Sequence, residues 1–417
     1  MEKSVYIIQG APSWLKTPPL SLVYLKNYLK SKCCRVKIRD LNIEFFKLSN
    51  LSTKEWLALN QDFEKNLFKA LEKKFNYLLE KLYREIENYE LIGLSISKRN
   101  APFSLALAEE IRKKYPHKKI VFGGPQTLFL GWQDKLDHNY HWVIGEGEIP
   151  LYKILNGDKS MVHRFDEIEN LDKLPFLNFE PLNLKLYSQY IPLFSSRGCM
   201  HNCKFCSEKK LYKKFKYHSP QYMIEQIKFL MKKYKTNSLV FCDSLINYNN
   251  EWLEKFCSLT ITNNLNIKWE AQMRIDPNFT VELGMRMKTS GCYNLFVGLE
   301  SASDEVLQSM QKGFTQEIAL GFFEKLNKAG LQFEISLIFG YPGETEVDFK
   351  KTLNFITKNK KIIPKIAQAN PFVDYMNGFS NETFPTKIAM ERTNFFLKNI
   401  EREKIKYTKS FINNLIY

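Results

Sequence analysis

Short apolar runs of strand length alternate with helical stretches over the first third of the chain. The runs end at glycine, proline or polar residues, which punctuate strands. They predict strands at 5–10, 35–40, 91–97, 119–125 and 142–148. Pro18 and Pro19 open a predicted helix that continues to about Lys30. This alternation predicts a parallel sheet covered by helices on both faces.

A long amphipathic stretch separates the second and third strands. Ser52 and Glu55 have the spacing of a capping box, and apolar residues recur at steps of three and four from Trp56 to Ile86. The pattern predicts one helix over about 53–88. Its apolar stripe is interpreted as a packing face, with a mixed Lys and Glu face in solvent.

The strand–helix alternation resumes after a proline-containing stretch. Apolar runs predict six further strands, at 191–194, 238–242, 268–272, 294–299, 332–339 and 365–369. Helical patterns lie between them, so a second α/β unit is expected. The predicted organisation is a first domain over 1–157, a linker over 158–190, a second domain over 191–372 and a short helical tail over 373–417.

Three cysteines follow the first strand of the second domain. Cys199, Cys203 and Cys206 are spaced C-x3-C-x2-C, which lets one loop bring three thiols to a single metal centre. An iron–sulfur cluster is one interpretation. A structural zinc site with His201 or His218 as fourth ligand is another, although the spacing differs from the usual paired C-x2-C halves. A disulfide is disfavoured, because the sequence shows no signal peptide or membrane-spanning run and is expected to be cytoplasmic.

With Phe205 before its last cysteine, this motif resembles the signature of the radical SAM superfamily. The resemblance implies a 4Fe-4S cluster with one open iron that binds the amino and carboxylate groups of S-adenosylmethionine. It also implies reductive cleavage to a 5′-deoxyadenosyl radical, with flavodoxin or ferredoxin as electron donor. The six βα units then correspond to a partial (βα)6 TIM barrel, in which reactive groups gather at the C-terminal rim.

Polar residues at the other strand ends extend the resemblance. The run 298–303 is similar to the fourth-strand region that contacts the ribose and amino group, and 340–345 is similar to a Gly-x-Pro-Gly-Glu-Thr run near the adenine. Asp243 stands where many relatives have a Gly-Gly-Glu run that this chain lacks. The predicted S-adenosylmethionine contacts are Phe205, Asp243, Arg274, Glu300, Ser301 and Ile338. Ordinary rim salt bridges and turn chemistry are the alternative explanation for these residues.

The first domain resembles the Rossmann-like cobalamin-binding domain that precedes the catalytic domain in many radical SAM enzymes. Sequence 40–42 has no histidine, so the cobalt-ligating D-x-H-x-x-G run is missing, as it is in many of these enzymes. Ligands of such sheets bind at the carboxyl ends of strands. The predicted cobalamin contacts are therefore Pro12, Ser97, Asn100, Gly123, Gly124, Pro125, Gln126, Gly145, Glu146 and Glu148.

Composition and net charge limit the classes of binding partner that we expect for this chain. A chain of 417 residues that is 44% hydrophobic can form two cores. The net charge of +16 suits an acidic partner, but the lysines are spread along the chain with no basic stripe, so nucleic acid is not expected.

The resemblance implies cobalamin-dependent methyl transfer to an unactivated carbon of a natural product, peptide or cofactor precursor. Two alternatives stay open at this point. One is a cobalamin-independent radical rearrangement, cyclisation or oxidation with the first domain as a scaffold. The other is a zinc-stabilised binding protein.

Overall fold

The computed structural model describes residues 3–59, 67–128, 140–188, 190–374 and 385–408. The chain forms two compact units. The first comprises Met1–Gln189 and Lys210–Lys213, and the second comprises Tyr190–Lys209 and Lys214–Tyr417. No helix in the described ranges is both long enough and apolar enough to cross a membrane.

The first unit contains a six-stranded parallel sheet of order β2-β1-β3-β4-β5-β6. Its strands are β1 (Ser4–Gln9), β2 (Arg35–Asp40), β3 (Leu91–Ser95), β4 (Lys119–Gly123), β5 (His141–Ile144) and β6 (Val162–Arg164). Its helices are α1 (Leu20–Ser31), α2 (Leu41–Ser49), α3 (Thr53–Ala58), α4 (Leu67–Ile86), α5 (Ala101–Lys114) and α6 (Glu148–Leu155). The five predicted strands are confirmed. The sixth, β6, lies within the stretch that the sequence suggested as a linker.

The expectation of one continuous helix over 53–88 was wrong. The capping box at Ser52 is present and starts α3, but this helix ends at Ala58, and α4 begins at Leu67. Residues 60–66 of the predicted helix lie outside the described ranges. Within α4, Phe75 leaves the helical conformation with φ −131° and ψ 36°. The packing role of the stripe is confirmed for the described residues, because its apolar members outside 60–66 join the core of the first unit. Apolar residues that recur every three or four positions indicate that one helical face is buried, but they do not require the helix to be unbroken.

The second unit contains a seven-stranded parallel sheet of order β15-β14-β13-β12-β11-β10-β7. Its strands are β7 (Ile191–Leu193), β10 (Ser238–Phe241), β11 (Lys268–Met273), β12 (Cys292–Glu300), β13 (Phe333–Phe339), β14 (Lys365–Pro371) and β15 (Lys406–Tyr407), and a separate antiparallel pair is β8 (Ser196–Arg197) with β9 (Lys216–Tyr217). The six predicted strands are confirmed. They occur in the sheet in their chain order, as in a partial barrel.

Helices follow the strands of this unit and cover the sheet. They are α7 (Glu208–Leu211), α8 (Pro220–Tyr234), α9 (Asn250–Thr262), α10 (Val281–Thr289), α11 (Asp304–Ser309), α12 (Gln316–Lys328), α13 (Glu346–Lys358) and α14 (Lys387–Arg402). Polar side chains cap most of them; Thr345, for example, forms a capping box with Asp348 at the start of α13. The tail contains the expected helix, α14, and also β15, which the sequence did not suggest.

Candidate functional site

The three cysteines lie on the loop between β8 and α7, just beyond the carboxyl end of β7. All three are half-buried free thiols. The loop is held by backbone hydrogen bonds: Cys206 N donates to Cys203 O at 3.1 Å, and Lys204 N donates to Met310 O at 3.0 Å. The second bond joins the cysteine loop to the turn that follows α11. The tertiary fold therefore fixes a motif that the sequence places on a short, irregular segment.

Burial makes the thiols of Cys199 and Cys206 costly to ionise without a cationic partner. It raises the pKa of Cys206 to about 12 and also raises the pKa of Cys199. Iron ions would favour the thiolate forms, since a coordinating thiol loses its proton. A soft donor set of three thiols on one loop fits an iron–sulfur cluster.

The geometry gives no support to the zinc alternative. Within the described ranges, no group of three or more His, Cys, Asp and Glu side chains, the three cysteines included, is arranged to hold a single metal ion. His218 is buried and stacks on the ring of Tyr222, with ring centroids 4.2 Å apart. Burial, with Arg274 and Lys312 nearby, lowers the pKa of His201 to about 4.

Arg274 is brought to the cysteine loop from the end of β11. Its Nη1 donates to Cys203 Sγ at 3.1 Å. Asn247 holds the arginine backbone on both sides: Arg274 N donates to Asn247 Oδ1 at 3.0 Å, and Asn247 Nδ2 donates to Arg274 O at 2.9 Å. The guanidinium carbon lies 5.8 Å from the ring centroid of Phe314. The arginine therefore sits in a built position beside a predicted cluster ligand.

Glu300 ends β12 in a left-handed conformation, with φ +68°. Its buried carboxylate accepts from Lys312 Nζ at 3.1 Å and from Ser336 Oγ at 2.8 Å. Gly298 makes room for this side chain, because a Cβ there would lie 2.5 Å from Glu300 Oε1. The carboxylate is thus fixed by partners on two neighbouring segments.

Lys312 is the main site residue that sequence reasoning missed. It was not among the predicted contacts, yet its side chain is buried and pairs with Glu300. Its Nζ also lies 5.7 Å from the ring of Phe205 and 5.5 Å from that of Phe314. The sequence did carry one signal: this lysine stands between the apolar residues Met310 and Phe314, which suggests that it is buried. A buried lysine requires an acidic partner.

Phe205 and Ile338 meet in one apolar cluster. They pack against a group of buried residues together with Phe372, the buried members being Val306, Met310 and Tyr341. Lys312 and Phe314 then connect this cluster to Glu300 and Arg274. Four of the six predicted S-adenosylmethionine residues are therefore gathered beside the cysteine loop: Phe205, Arg274, Glu300 and Ile338.

The structure places Asp243 deeper, beneath the cysteine loop. Its buried carboxylate accepts from Ser195 N at 3.0 Å, from Ser195 Oγ at 2.7 Å and from Ser196 Oγ at 2.6 Å. Burial raises its pKa to about 6, against the opposing effect of these hydrogen bonds. Asp243 therefore anchors the chain that leads into the cysteines.

Ser301 also faces the protein interior. Its hydroxyl is fully buried, lies 3.1 Å from Thr352 Oγ1 and accepts from Ser303 N at 3.2 Å. These bonds connect the end of β12 to α13. The residue supports the backbone that carries Glu300.

The predicted cobalamin residues divide by exposure. Pro125 is exposed, and Ser97, Gly123, Gly124 and Gly145 are half-buried at the carboxyl ends of β3, β4 and β5. Pro12, Asn100, Gln126, Glu146 and Glu148 are buried. Small side chains at the accessible positions leave backbone that a large ligand can approach closely.

Buried members of this set shape the strand-end loops. Asn100 Oδ1 accepts from Ser97 N at 2.7 Å, and its Nδ2 donates to Ser95 O at 3.0 Å. Gly124 has φ +104°, and a Cβ there would lie 2.5 Å from Ile96 O. Glu146 Oε2 accepts from Ile168 N at 2.8 Å. The predicted cobalamin contacts therefore comprise two groups: accessible residues at the strand ends, and buried residues that hold the strand-end loops in place.

In the segment that lacks the cobalt-ligating histidine, the side chains of Asp40 and Asn42 form hydrogen bonds within the first unit. Asn42 Oδ1 accepts from Ser13 N at 2.7 Å and from Trp56 Nε1 at 2.8 Å. Asp40 accepts from Ile43 N at 3.2 Å and from Tyr187 OH at 2.7 Å, and burial raises its pKa to about 7. This segment offers no side chain as a cobalt ligand, so a corrinoid bound to this unit would be held through backbone and small side chains.

Comparison with family models finds a match within the second unit. Residues 193–356 match the Radical SAM superfamily. The matched range contains the three cysteines and all six predicted S-adenosylmethionine residues.

Curated and solved relatives cover both units. The chain is 23% identical over 301 residues to bacteriochlorophyllide d C-12(1)-methyltransferase of Chlorobaculum tepidum, which covers 69% of this chain and 65% of that protein. The structure resembles the cobalamin-dependent S-adenosylmethionine radical enzyme OxsB, solved with aqua-cobalamin and S-adenosylmethionine bound, with a TM-score of 0.69, 16% identity and coverage of 96% of this chain and 56% of that one.

It also resembles the radical S-adenosylmethionine methyltransferase TsrM of Kitasatospora setae, solved with cobalamin and a [4Fe-4S] cluster bound. The TM-score is 0.68 at 15% identity, with coverage of 88% of this chain and 75% of that one. At these identities the likeness shows the fold. This chain spans less than two thirds of the length of the bacteriochlorophyllide methyltransferase and of OxsB.

Proposed function

We propose that this chain, which contains a radical SAM domain and has the fold of the cobalamin-dependent radical SAM enzymes, transfers a methyl group to an unactivated carbon. The observation that carries the proposal is the convergence of Arg274, Lys312 and Glu300 on the three-cysteine loop. A disulfide or structural zinc site has no need of a buried carboxylate, an arginine fork and an apolar wall beside the same loop.

Each group has a role toward the cofactors. Cys199, Cys203 and Cys206 would hold the 4Fe-4S cluster. Glu300 would accept a hydrogen bond from the ammonium or ribose of S-adenosylmethionine, and the Phe205 and Ile338 cluster would contact its adenine. Asp243 and Ser301 would act by holding the cysteine loop and the end of β12 in place. When bound, the cluster supplies the electron that cleaves S-adenosylmethionine, and cobalamin supplies the methyl group.

The first unit would bind the corrinoid at the carboxyl ends of β3, β4 and β5. Ser97, Gly123, Gly124 and Gly145 would contact the ligand through backbone and small side chains, with Pro125 beside them. Asn100, Gln126, Glu146 and Glu148 would shape this surface from beneath, together with Pro12. The fold shared with OxsB and TsrM supports this assignment.

The substrate would be a natural product, a peptide or a cofactor precursor, and the electron donor a flavodoxin or ferredoxin in the cytoplasm. The relative from Chlorobaculum tepidum is a methyltransferase of bacteriochlorophyllide d. This favours testing tetrapyrroles early among candidate substrates.

Anaerobic purification from cells grown with cobalamin, followed by assay of iron, sulfide and corrinoid in one sample, tests the proposal. We expect about four irons and about one corrinoid per chain. A parallel culture without cobalamin should retain the iron and lose the corrinoid. Four irons with no corrinoid from the cobalamin-grown culture would favour radical chemistry without methyl transfer, and absence of iron would refute both.

A further inference from the structure

We propose that Arg274 sets the reduction potential of the cluster by donating a hydrogen bond to the sulfur of Cys203. This inference rests on the proposed function, because it presupposes that Cys203 binds an iron of the cluster. It differs from the assignment of Arg274 to S-adenosylmethionine that the sequence suggested.

The geometry favours a direct contact between Arg274 and the sulfur of Cys203. Arg274 Nη1 lies 3.1 Å from Cys203 Sγ, which is within hydrogen-bonding range for a sulfur acceptor. The side chain is held from two directions, by the Asn247 bonds to its backbone and by the ring of Phe314. A guanidinium held in this way loses little entropy when it makes the bond.

The pairing of the charged side chains in the site also supports a role of Arg274 toward the sulfur. The other buried cation of the site, Lys312, is neutralised by Glu300 at 3.1 Å. Among the described residues, Arg274 forms no ion pair with a carboxylate. Its positive charge therefore acts on the cysteine sulfur in a half-buried setting, where electrostatic effects exceed those in water.

Reduction adds one electron to the cluster and makes its sulfur ligands more electron-rich. A cationic donor on one of those sulfurs stabilises the reduced form more than the oxidised form, so it raises the potential. Removing the donor should make the cluster harder to reduce. The electron comes from the donor protein of the proposed reaction, and no other reactant is needed.

The test is the reduction midpoint potential of the reconstituted cluster, measured without S-adenosylmethionine by titration followed by electron paramagnetic resonance. For Arg274→Gln we expect about a tenfold lower ratio of reduced to oxidised cluster at a fixed ambient potential, which corresponds to about 59 mV for a one-electron couple. Arg286→Gln is the matched control, because it removes an arginine that pairs with Glu254 on the helical surface, and its potential should equal that of the wild type.

The outcomes separate the possible roles. An unchanged potential in Arg274→Gln, with weaker binding of S-adenosylmethionine, would overturn the inference. It would show instead that Arg274 contacts S-adenosylmethionine. If Arg274→Gln loses its iron, Arg274→Met carries the test, because it removes both the charge and the donor and keeps an unbranched side chain; an unshifted potential there refutes the inference. Wild-type protein that binds no iron would overturn the proposed function and this inference together, whereas an iron-loaded wild type with unshifted variants overturns the inference alone.

Discussion

Lys312 Nζ lies 3.1 Å from Glu300 Oε1, and both side chains are almost completely buried, with exposures of 5% and 10%. Ser336 Oγ donates to the other carboxylate oxygen at 2.8 Å. Glu300 is the residue of this region that most resembles an S-adenosylmethionine contact. Lys312 therefore supplies the countercharge that a buried carboxylate requires.

Lys312→Met should destabilise the second unit by about 3–5 kcal/mol, because it leaves the carboxylate of Glu300 buried without its cation. The double variant Glu300→Gln with Lys312→Met should recover part of this loss, since no buried charge remains. Denaturant unfolding of the wild type, the two single variants and the double variant measures the coupling between the two side chains. Equal destabilisation of the single and double variants would show that the lysine stabilises the fold by packing alone.

Gly298→Ala should weaken S-adenosylmethionine binding while the iron content stays unchanged. The added Cβ would lie 2.5 Å from Glu300 Oε1 and would displace the carboxylate. Loss of one charge-assisted hydrogen bond costs about 1.5–3 kcal/mol, which corresponds to a roughly 10- to 100-fold increase in the dissociation constant. Calorimetry on the reconstituted protein measures it.

Gly321→Ala is the matched control for this variant, because Gly321 lies inside α12 and a Cβ there meets nothing within 4 Å. It should bind S-adenosylmethionine as the wild type does and gain about 0.5–1 kcal/mol in stability. Unchanged affinity in Gly298→Ala would remove Glu300 from the binding site.

Tyr187→Phe should destabilise the protein more at pH 8 than at pH 5. Burial raises the pKa of Asp40 from 3.8 to about 7, so the folded state binds a proton more tightly than the unfolded state. Stability from this group is accordingly present below about pH 4 and is lost as the pH rises through 7. The Tyr187 hydroxyl, which donates to Asp40 Oδ2 at 2.7 Å, limits that loss by stabilising the carboxylate.

Removing the hydroxyl should cost about 1.5–3 kcal/mol at pH 8, where Asp40 is mostly ionised, and less at pH 5. Urea unfolding at the two pH values measures the difference. Tyr77→Phe, an exposed position on α4, is the control and should show no such dependence on pH. An equal effect of Tyr187→Phe at both pH values would contradict the assigned protonation of Asp40.

Cys203→Ala should abolish iron binding and cleavage of S-adenosylmethionine, since three thiolates are needed to hold the cluster. Corrinoid binding should persist, because its predicted contacts lie on the first unit. Cys257→Ala, a buried cysteine of α9 whose Sγ accepts from Ser290 Oγ at 3.3 Å, is the control and should retain iron. Full activity of Cys203→Ala would refute the cluster assignment.

The sequence by itself determined the parts of this protein that short stretches encode. Eleven predicted strands are present, because each is a short apolar or alternating stretch that needs only a neighbouring strand to pair with. The helix caps at Ser52 and Thr345 and the cysteine motif are equally local. The three-residue β6 and the two-residue β15 escaped detection because so short a strand carries too little pattern, and its pairing comes from a sheet edge built elsewhere.

The tertiary structure decided what the site residues touch. Asp243 stands at the predicted strand end, but its partners lie 47 and 48 residues earlier and commit it to the base of the cysteine loop. Arg274 reaches Cys203 across 71 residues of sequence. Lys312 becomes a site residue only because the turn after α11 returns it to the end of β12. Side-chain pairing across strands depends on register, twist and the path of each loop, and none of these is written in the local pattern of apolar and polar residues.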